Sequence, residues 1–173
     1  MPEIKKLLQS VKAFAFDVDG VFTNGSVMLH PGGAFIRMMN IKDGFAVQHA
    51  IKMGYPIAII TGGYSKMIRK RFKVLGVKDI YMKSADKTAA FKAFLMKYGL
   101  GPADILYMGD DLPDYEVMKS VGFPACPADA AEEIKQLSLY TSHRNGGEGC
   151  VRDVIEQVLR LHGKWMNDFT FIW

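Results

Sequence analysis

Apolar residues along this chain fall into two alternating rhythms. Short, near-continuous apolar runs mark the cores of KAFAFDVD (12–19), YPIAIIT (55–61), DIYM (79–82) and ADILYMGD (103–110). Such runs are the pattern of strands buried on both faces of a parallel sheet. Between them lie stretches with helical spacing: from about Gly44 to Met53, the basic stretch that stops before Gly76, KTAAFKAFLMKY (87–98) ending at Gly99, and DYEVMKSV (114–121). A short strand near FPAC (123–126), a helix near AAEEIKQL (130–137) and a final helix, CVRDVIEQVLRLHG (150–163), complete the count. Four β-α alternations predict an α/β fold, a Rossmann-like parallel sheet with helices on both faces. At this length one domain over 1–173 is the simplest organisation.

One segment breaks the alternation. SVMLH (26–30) and AFIRMM (34–39) flank Pro31-Gly32-Gly33 and read as a β-hairpin inserted after the first strand. Both arms are apolar at nearly every position, so a hairpin standing alone would expose apolar surface on both faces. Isolated hairpins are also marginal in water. Packing against another subunit solves both problems, which predicts an oligomer built partly through residues 26–39.

Polar residues sit where this topology places ligands, outside the carboxyl ends of the strands. Asp17 and Asp19 end the first strand, Thr61 and Gly62 the second, and Gly109-Asp110-Asp111 the fourth; Lys87 opens the helix after the third. Strand periodicity puts Asp17 and Asp19 on one side. Two such charges at about 4–6 Å repel by roughly 1 kcal/mol in water and by several times that when partly buried. A bound cation, or a proton kept on one carboxyl, must offset this.

Composition narrows the field. The chain is 49% hydrophobic and 23% charged, as in an ordinary globular protein. No apolar run is long enough to span a bilayer, and MPEIKKLLQS lacks the apolar core of a secretory signal. A cytoplasmic address with no membrane partner is expected, with Cys126 and Cys150 as reduced thiols. The net charge of +4 raises the question of nucleic acid. No aromatic RNA-binding signature or recognition helix accompanies the basic residues, however, and SKMIRKRFK (65–73) reads as a solvated helix face. Small anionic substrates are the better match.

Asp17, Asp19, Asp110 and Asp111, with a threonine hydroxyl and a lysine, suit Mg²⁺-assisted phosphoryl transfer. Carboxylate and carbonyl oxygens match a hard divalent ion. A carboxylate can attack phosphorus and split hydrolysis into two easier steps. Lys87 and the metal would neutralise the phosphoryl oxygens, and Thr61 would donate a hydrogen bond to them. Competing motifs fail. An EF-hand loop from Asp17 would need glycine and glutamate where Phe22 and Met28 stand. No phosphate-binding G-x-x-x-x-G-K-[ST] and no G-x-S-x-G occurs. His30, His49, His143 and His162 lack zinc spacing. A receiver domain handles phosphoryl groups with similar residues but in the reverse order.

DVDGVFT (17–23), IITGG (59–63), Lys87 and GDDLPD (109–114) resemble the four motifs of the haloacid dehalogenase superfamily. NIKDGFAV (40–47), KRFKVLGVKDIY (70–81) and NGGEGCVRDV (145–154) resemble, more narrowly, its capless phosphatases of 3-deoxy-D-manno-octulosonate 8-phosphate. The resemblance implies Asp17 as nucleophile. It implies Asp19 as acid and base that also lends a backbone carbonyl to Mg²⁺, and Asp110 as the second carboxylate ligand. Asp111 and Asp114 would support the metal shell and the helix start, while Thr61 and Lys87 hold the phosphoryl group. It further implies that Asn40, Ile41, Lys42, Asp43, Gly44, Gln48, Gly62, Gly63 and Arg71 line the sugar-acid site, with Arg71 and Lys42 facing its carboxylate. Gly63 stands where the family often has arginine, so a nine-carbon sugar-acid phosphate is the alternative substrate. An inactive oligomerisation domain of the same fold is the non-enzyme alternative, disfavoured by the intact carboxylates.

The gaps from Asp17 to Thr61 and from Thr61 to Lys87 leave no room for a cap domain. The resemblance implies a homotetramer in which neighbours complete the cleft. It also suggests that the aromatic tail, residues 164–173 with Trp165, Phe169, Phe171 and Trp173, is a lid over a neighbouring site. The plainer expectation is that the tail packs on its own domain.

Overall fold

A computed structural model describes residues 2–167 and residue 170. Its centre is a six-stranded parallel sheet. In chain order the strands are β1 (Ala13–Phe16), β4 (Ile57–Ile60), β5 (Asp79–Tyr81), β6 (Ile105–Met108), β7 (Phe123–Cys126) and β8 (Tyr140–Thr141). They lie side by side as β5-β4-β1-β6-β7-β8. The order reverses direction at β1, which pairs with both β4 and β6. A crevice therefore opens beyond the carboxyl end of β1, where such sheets bind ligands.

Alternation along the strands divides the core. Phe14, Phe16, Ile57, Ile59, Leu106 and Met108 face one side. There they pack under α2 (Ile41–Lys52), α3 (Lys66–Val74) and α7 (Cys150–Leu161). Ala13, Ala15, Ala58, Ile60, Ile105 and Tyr107 face the other, under α4 (Lys87–Tyr98), α5 (Tyr115–Ser120) and α6 (Glu132–Leu137). Both faces are dry, as the near-continuous apolar runs required.

The helix ends follow local chemistry. Asn40 accepts the Lys42 N–H and starts α2, so this helix begins at Ile41 rather than near Gly44. Ser65 caps α3 through Ile68 N–H, and Asp86 caps α4 through Thr88 N–H. Gly99 closes α4 in the left-handed conformation. Two elements were not predicted: α1 (Pro2–Ser10) and the edge strand β8. Lys66, Arg69, Lys70 and Lys73 of α3 are exposed, as expected of a solvated face.

The hairpin forms with short strands β2 (Met28–Leu29) and β3 (Phe35–Ile36), pairing Met28 with Ile36 and Leu29 with Phe35. Its side chains are bare: Met28, Leu29, Phe35 and Met38 are 65%, 72%, 59% and 79% exposed. Cys126 and Cys150 are free and buried. The root of the tail packs on its own chain. Trp165 is 3% exposed, edge-on to Phe45 and His49, and His49 Nε2 lies 3.0 Å from the Lys164 carbonyl. Phe169, Phe171 and Trp173, named for the lid, lie outside the described residues. Among the described residues no helix is long and apolar enough to cross a membrane.

Candidate active site

The chain leaves the pleat directly after Phe16, and the next residues form a tight loop over the end of β1. Val18, Val21 and Phe22 are buried and pin this loop. Phe22 sits edge-on to Phe16 and Phe72, at 5.5 and 4.9 Å between ring centres. Thr23, wholly buried, accepts the Gly20 and Gly25 N–H groups. Because the strand ends at Phe16, its two-residue period does not extend to Asp19, and the expected pairing of Asp17 with Asp19 on one strand face is corrected. Asp17 turns inward. Asp19 is half-exposed and is gripped through both oxygens by Arg37 of the hairpin, Nε at 2.6 Å and Nη2 at 3.0 Å. The guanidinium offsets the charge of Asp19.

Asp17, Asp110 and Asp114 form the inner cluster, each offering one ligand atom within 4.8 Å of the others. Gly20 makes this approach possible. Its φ is +84°, and a Cβ there would lie 1.8 Å from Asp110 Oδ2. No side chain fits between the two loops, which accounts for the glycine of DVDG. Asp114 is fully buried. Its Oδ1 accepts from Lys87 Nζ at 2.7 Å and from the Tyr107 hydroxyl at 2.6 Å. Lys87 Nζ also lies 3.0 Å from Asp17 Oδ1.

Three carboxylates around one ammonium leave excess negative charge. Burial, followed by the charge of Asp114, pushes the Asp17 carboxyl up to about 7 despite Lys87. Burial, then Asp17 and Asp114, pushes Asp110 up to about 8. For Lys87 burial works downward, but Asp17 and Asp114 outweigh it and hold the ammonium above its ordinary range. Asp110 Oδ1 is buried with no hydrogen-bond partner. An all-oxygen donor set, an orphaned oxygen and surplus negative charge fit a small hard divalent cation. Asp17 and Asp110 would hold it, since Asp114 Oδ1 is already engaged.

Thr61 is buried, and its Oγ1 accepts the Gly63 N–H at 3.1 Å. Asp111 turns away from the cluster, where it is exposed and caps the Leu112 N–H at 2.8 Å. Its part is the local turn rather than the metal shell. The loop of NGGEG backs the site. Gly147 N–H donates to the Val21 carbonyl, and a Cβ on Gly146 would lie 1.9 Å from the Gly20 carbonyl oxygen.

The expected sugar-acid residues divide. A cavity of about 830 Å³ lies between the hairpin and the start of α3, lined by Phe35, Arg37, Met39, Tyr64, Ser65 and Arg71 among others, and Arg37 joins it to Asp19. Arg71 crosses Gly44 so closely that a Cβ there would meet its Nη2 at 2.5 Å. Gly63 adjoins Asp19 and Arg37, while Gly62 is exposed on the same loop. Asn40 is engaged as a cap, and Ile41 and Lys42 stand exposed on the first turn of α2. Gln48, two turns further along, is half-buried. Asp43 is corrected. It is fully buried, its Oδ1 accepts the Arg152 N–H at 2.7 Å at the start of α7, and burial pushes it up to about 6. That bond ties α2 to α7, while its other oxygen, Oδ2, is buried with no hydrogen-bond partner. Arg37 and Tyr107 were missed. A lone cation in an otherwise apolar hairpin arm was the available signal for Arg37; Tyr107 gave none.

Fold and cluster together define a hydrolase of the haloacid dehalogenase class, and the model of haloacid dehalogenase-like hydrolases matches residues 73–155. The chain belongs to the family of 3-deoxy-D-manno-octulosonate 8-phosphate phosphatases. It is 32% identical to that phosphatase of Salmonella typhimurium over 163 residues, 94% of this chain and 87% of the relative. The Yersinia pestis phosphatase superposes with a TM-score of 0.91 at 30% identity, covering 94% of this chain and 88% of that one. The Moraxella catarrhalis phosphatase, solved with magnesium, phosphate and KDO, gives 0.90 at 33% identity and covers 93% and 92%.

Proposed function

We propose that this chain hydrolyses 3-deoxy-D-manno-octulosonate 8-phosphate to the free sugar acid and phosphate, through a phosphoryl group carried on Asp17. The observation that carries the reading is the Asp17–Asp110–Asp114 cluster, buried at Asp17 and Asp114 and half-buried at Asp110, with Lys87 beside it. Relatives named for this reaction, at about a third identity over most of the chain, support the substrate.

A bound Mg²⁺ on Asp17 and Asp110 would supply charge neutralisation at the phosphoryl oxygens. Asp17 is the nucleophile: buried, held beside Lys87, and free to present an oxygen to phosphorus. Lys87, fixed by Asp114, balances charge on the transferring group. Asp19, on the outer side of the loop, gives a proton to the departing C8 oxygen and afterwards takes one from the hydrolytic water. Arg71, seated on Gly44 at the cavity wall, meets the sugar-acid carboxylate. The exposed apolar hairpin supports assembly as a homotetramer.

Quenching a single turnover of phosphate-labelled substrate in acid tests this. A hydroxylamine-labile label on the wild-type chain, absent from Asp17→Asn, is the expected result. Full turnover by Asp17→Asn overturns the assignment.

A further inference from the structure

Arg37 and Asp19 set a problem for the reaction just described, on which this inference rests. Both oxygens of Asp19 are held by one guanidinium, at 2.6 and 3.0 Å, and the arginine side chain is only 11% exposed. In that pose Asp19 has no oxygen turned to a leaving group. Something must take the guanidinium away, and an ion pair of this geometry opens readily only if another anion replaces the carboxylate it loses.

The surroundings identify that anion. Arg37 follows directly after β3 and lines the same cavity as Arg71. Its Nη2 lies 3.7 Å from where a Cβ on Gly63 would stand, so the loop that carries Thr61 runs alongside it at ordinary contact distance. Gly44 is tighter, since a Cβ there would lie 2.5 Å from Arg71 Nη2. Arg37 and Arg71 thus stand as two guanidiniums on the wall of one cavity. Lys87 already serves the phosphoryl end, so the anion within reach of Arg37 is the substrate's own carboxylate, whose two oxygens can be shared between Arg37 and Arg71.

We propose that Arg37 is a specificity-determining latch: it grips Asp19 in the empty site and exchanges it for the carboxylate of the incoming sugar acid. Binding of a sugar acid then releases Asp19 to face the leaving oxygen. A phosphate ester of an uncharged sugar brings no carboxylate beside its phosphoryl group and leaves Asp19 gripped. Selectivity for acidic sugars would act on kcat as well as on KM, because the wrong substrate binds to a site whose Asp19 is turned away.

The test compares 3-deoxy-D-manno-octulosonate 8-phosphate with a hexose 6-phosphate on the wild-type enzyme, Arg37→Ala and Arg37→Lys. In Arg37→Ala, kcat/KM for the sugar acid is expected to fall at least tenfold while kcat for the hexose phosphate rises at least threefold. Arg37→Lys, which keeps a cation without the two-pronged grip, should lie between, and it carries the test alone if the alanine variant folds poorly. Loss of both activities by the same factor assigns Arg37 a purely structural part and overturns the latch, as does an unchanged ratio. Magnesium-dependent hydrolysis of p-nitrophenyl phosphate by the wild-type enzyme checks the underlying reading separately. Its absence removes both proposals, whereas its presence with an unchanged ratio removes the latch alone.

Discussion

Asp114 Oδ1 accepts a hydrogen bond from Lys87 Nζ at 2.7 Å, deep beneath the loop that carries Asp17. The pair joins residues 27 positions apart in sequence, and both side chains are at most 5% exposed. A buried ammonium needs this partner. Without Asp114, Lys87 keeps only Asp17 at 3.0 Å and the buried Tyr107 hydroxyl loses its acceptor, at a cost on the order of 1–3 kcal/mol. Asp114→Ala should lower the melting temperature by several degrees and reduce kcat at least a hundredfold. Asp114→Asn, which keeps an acceptor for Lys87, should fall between. Thermal melts and steady-state kinetics on both variants check this; wild-type stability in Asp114→Ala contradicts it.

Gly20 offers a more local test. A methyl group at this position meets Asp110 Oδ2 at 1.8 Å, in a backbone conformation that L-residues rarely adopt. Gly20→Ala should displace Asp110 from Asp17 and weaken magnesium binding at least tenfold, with a stability cost on the order of 1–3 kcal/mol. Magnesium titration followed by the thermal shift reads both effects. An undiminished shift contradicts the close approach.

The metal-free site should also be pH-sensitive in a defined direction. Asp17 and Asp110 are raised from 3.8 to about 7 and about 8. The folded state therefore holds protons that the unfolded state has already lost. Stability from this source is full below about pH 4 and is lost as pH rises through the folded values to about pH 8. Denaturant midpoints in EDTA should fall across that window. Added Mg²⁺ should restore stability at pH 8 and do little at pH 5, where protons compete for the same oxygens. A magnesium effect independent of pH contradicts the cluster as the binding site.

The hairpin bears on assembly. Leu29 and Phe35 are directly paired and both exposed. Leu29→Asp together with Phe35→Asp should reduce the solution mass from a tetramer toward the monomer, read by light scattering. A monomeric wild-type chain removes the expectation altogether.

How far this was legible in the sequence depends on the reach of each interaction. The sheet was readable because strands such as Ile57–Ile60 are buried on both faces and so consist of apolar residues throughout. Asp17, Thr61, Lys87 and Asp110 could be gathered in advance because strand ends in this topology meet at one rim. Asp43 could not be placed: its partner, the Arg152 N–H, lies 109 positions away. Its neighbours in sequence gave no hint that the carboxylate turns inward to α7. Asp19 was misplaced for a different reason, since its strand stops at Phe16 and the loop re-aims it toward Arg37. Two-residue β8 is too short to carry a pattern at all.

Phosphoryl transfer from an eight-carbon sugar acid at the Asp17–Asp110 cluster with its cation is open to direct measurement. Specificity constants for phosphate release test it most directly. The panel holds 3-deoxy-D-manno-octulosonate 8-phosphate, a nine-carbon sugar-acid 9-phosphate and a hexose 6-phosphate, each with Mg²⁺ and with EDTA. The expected result is at least a tenfold preference for the eight-carbon substrate, abolished by EDTA and by Asp17→Asn. Phosphate release that survives EDTA, or a preference for either other substrate, contradicts it.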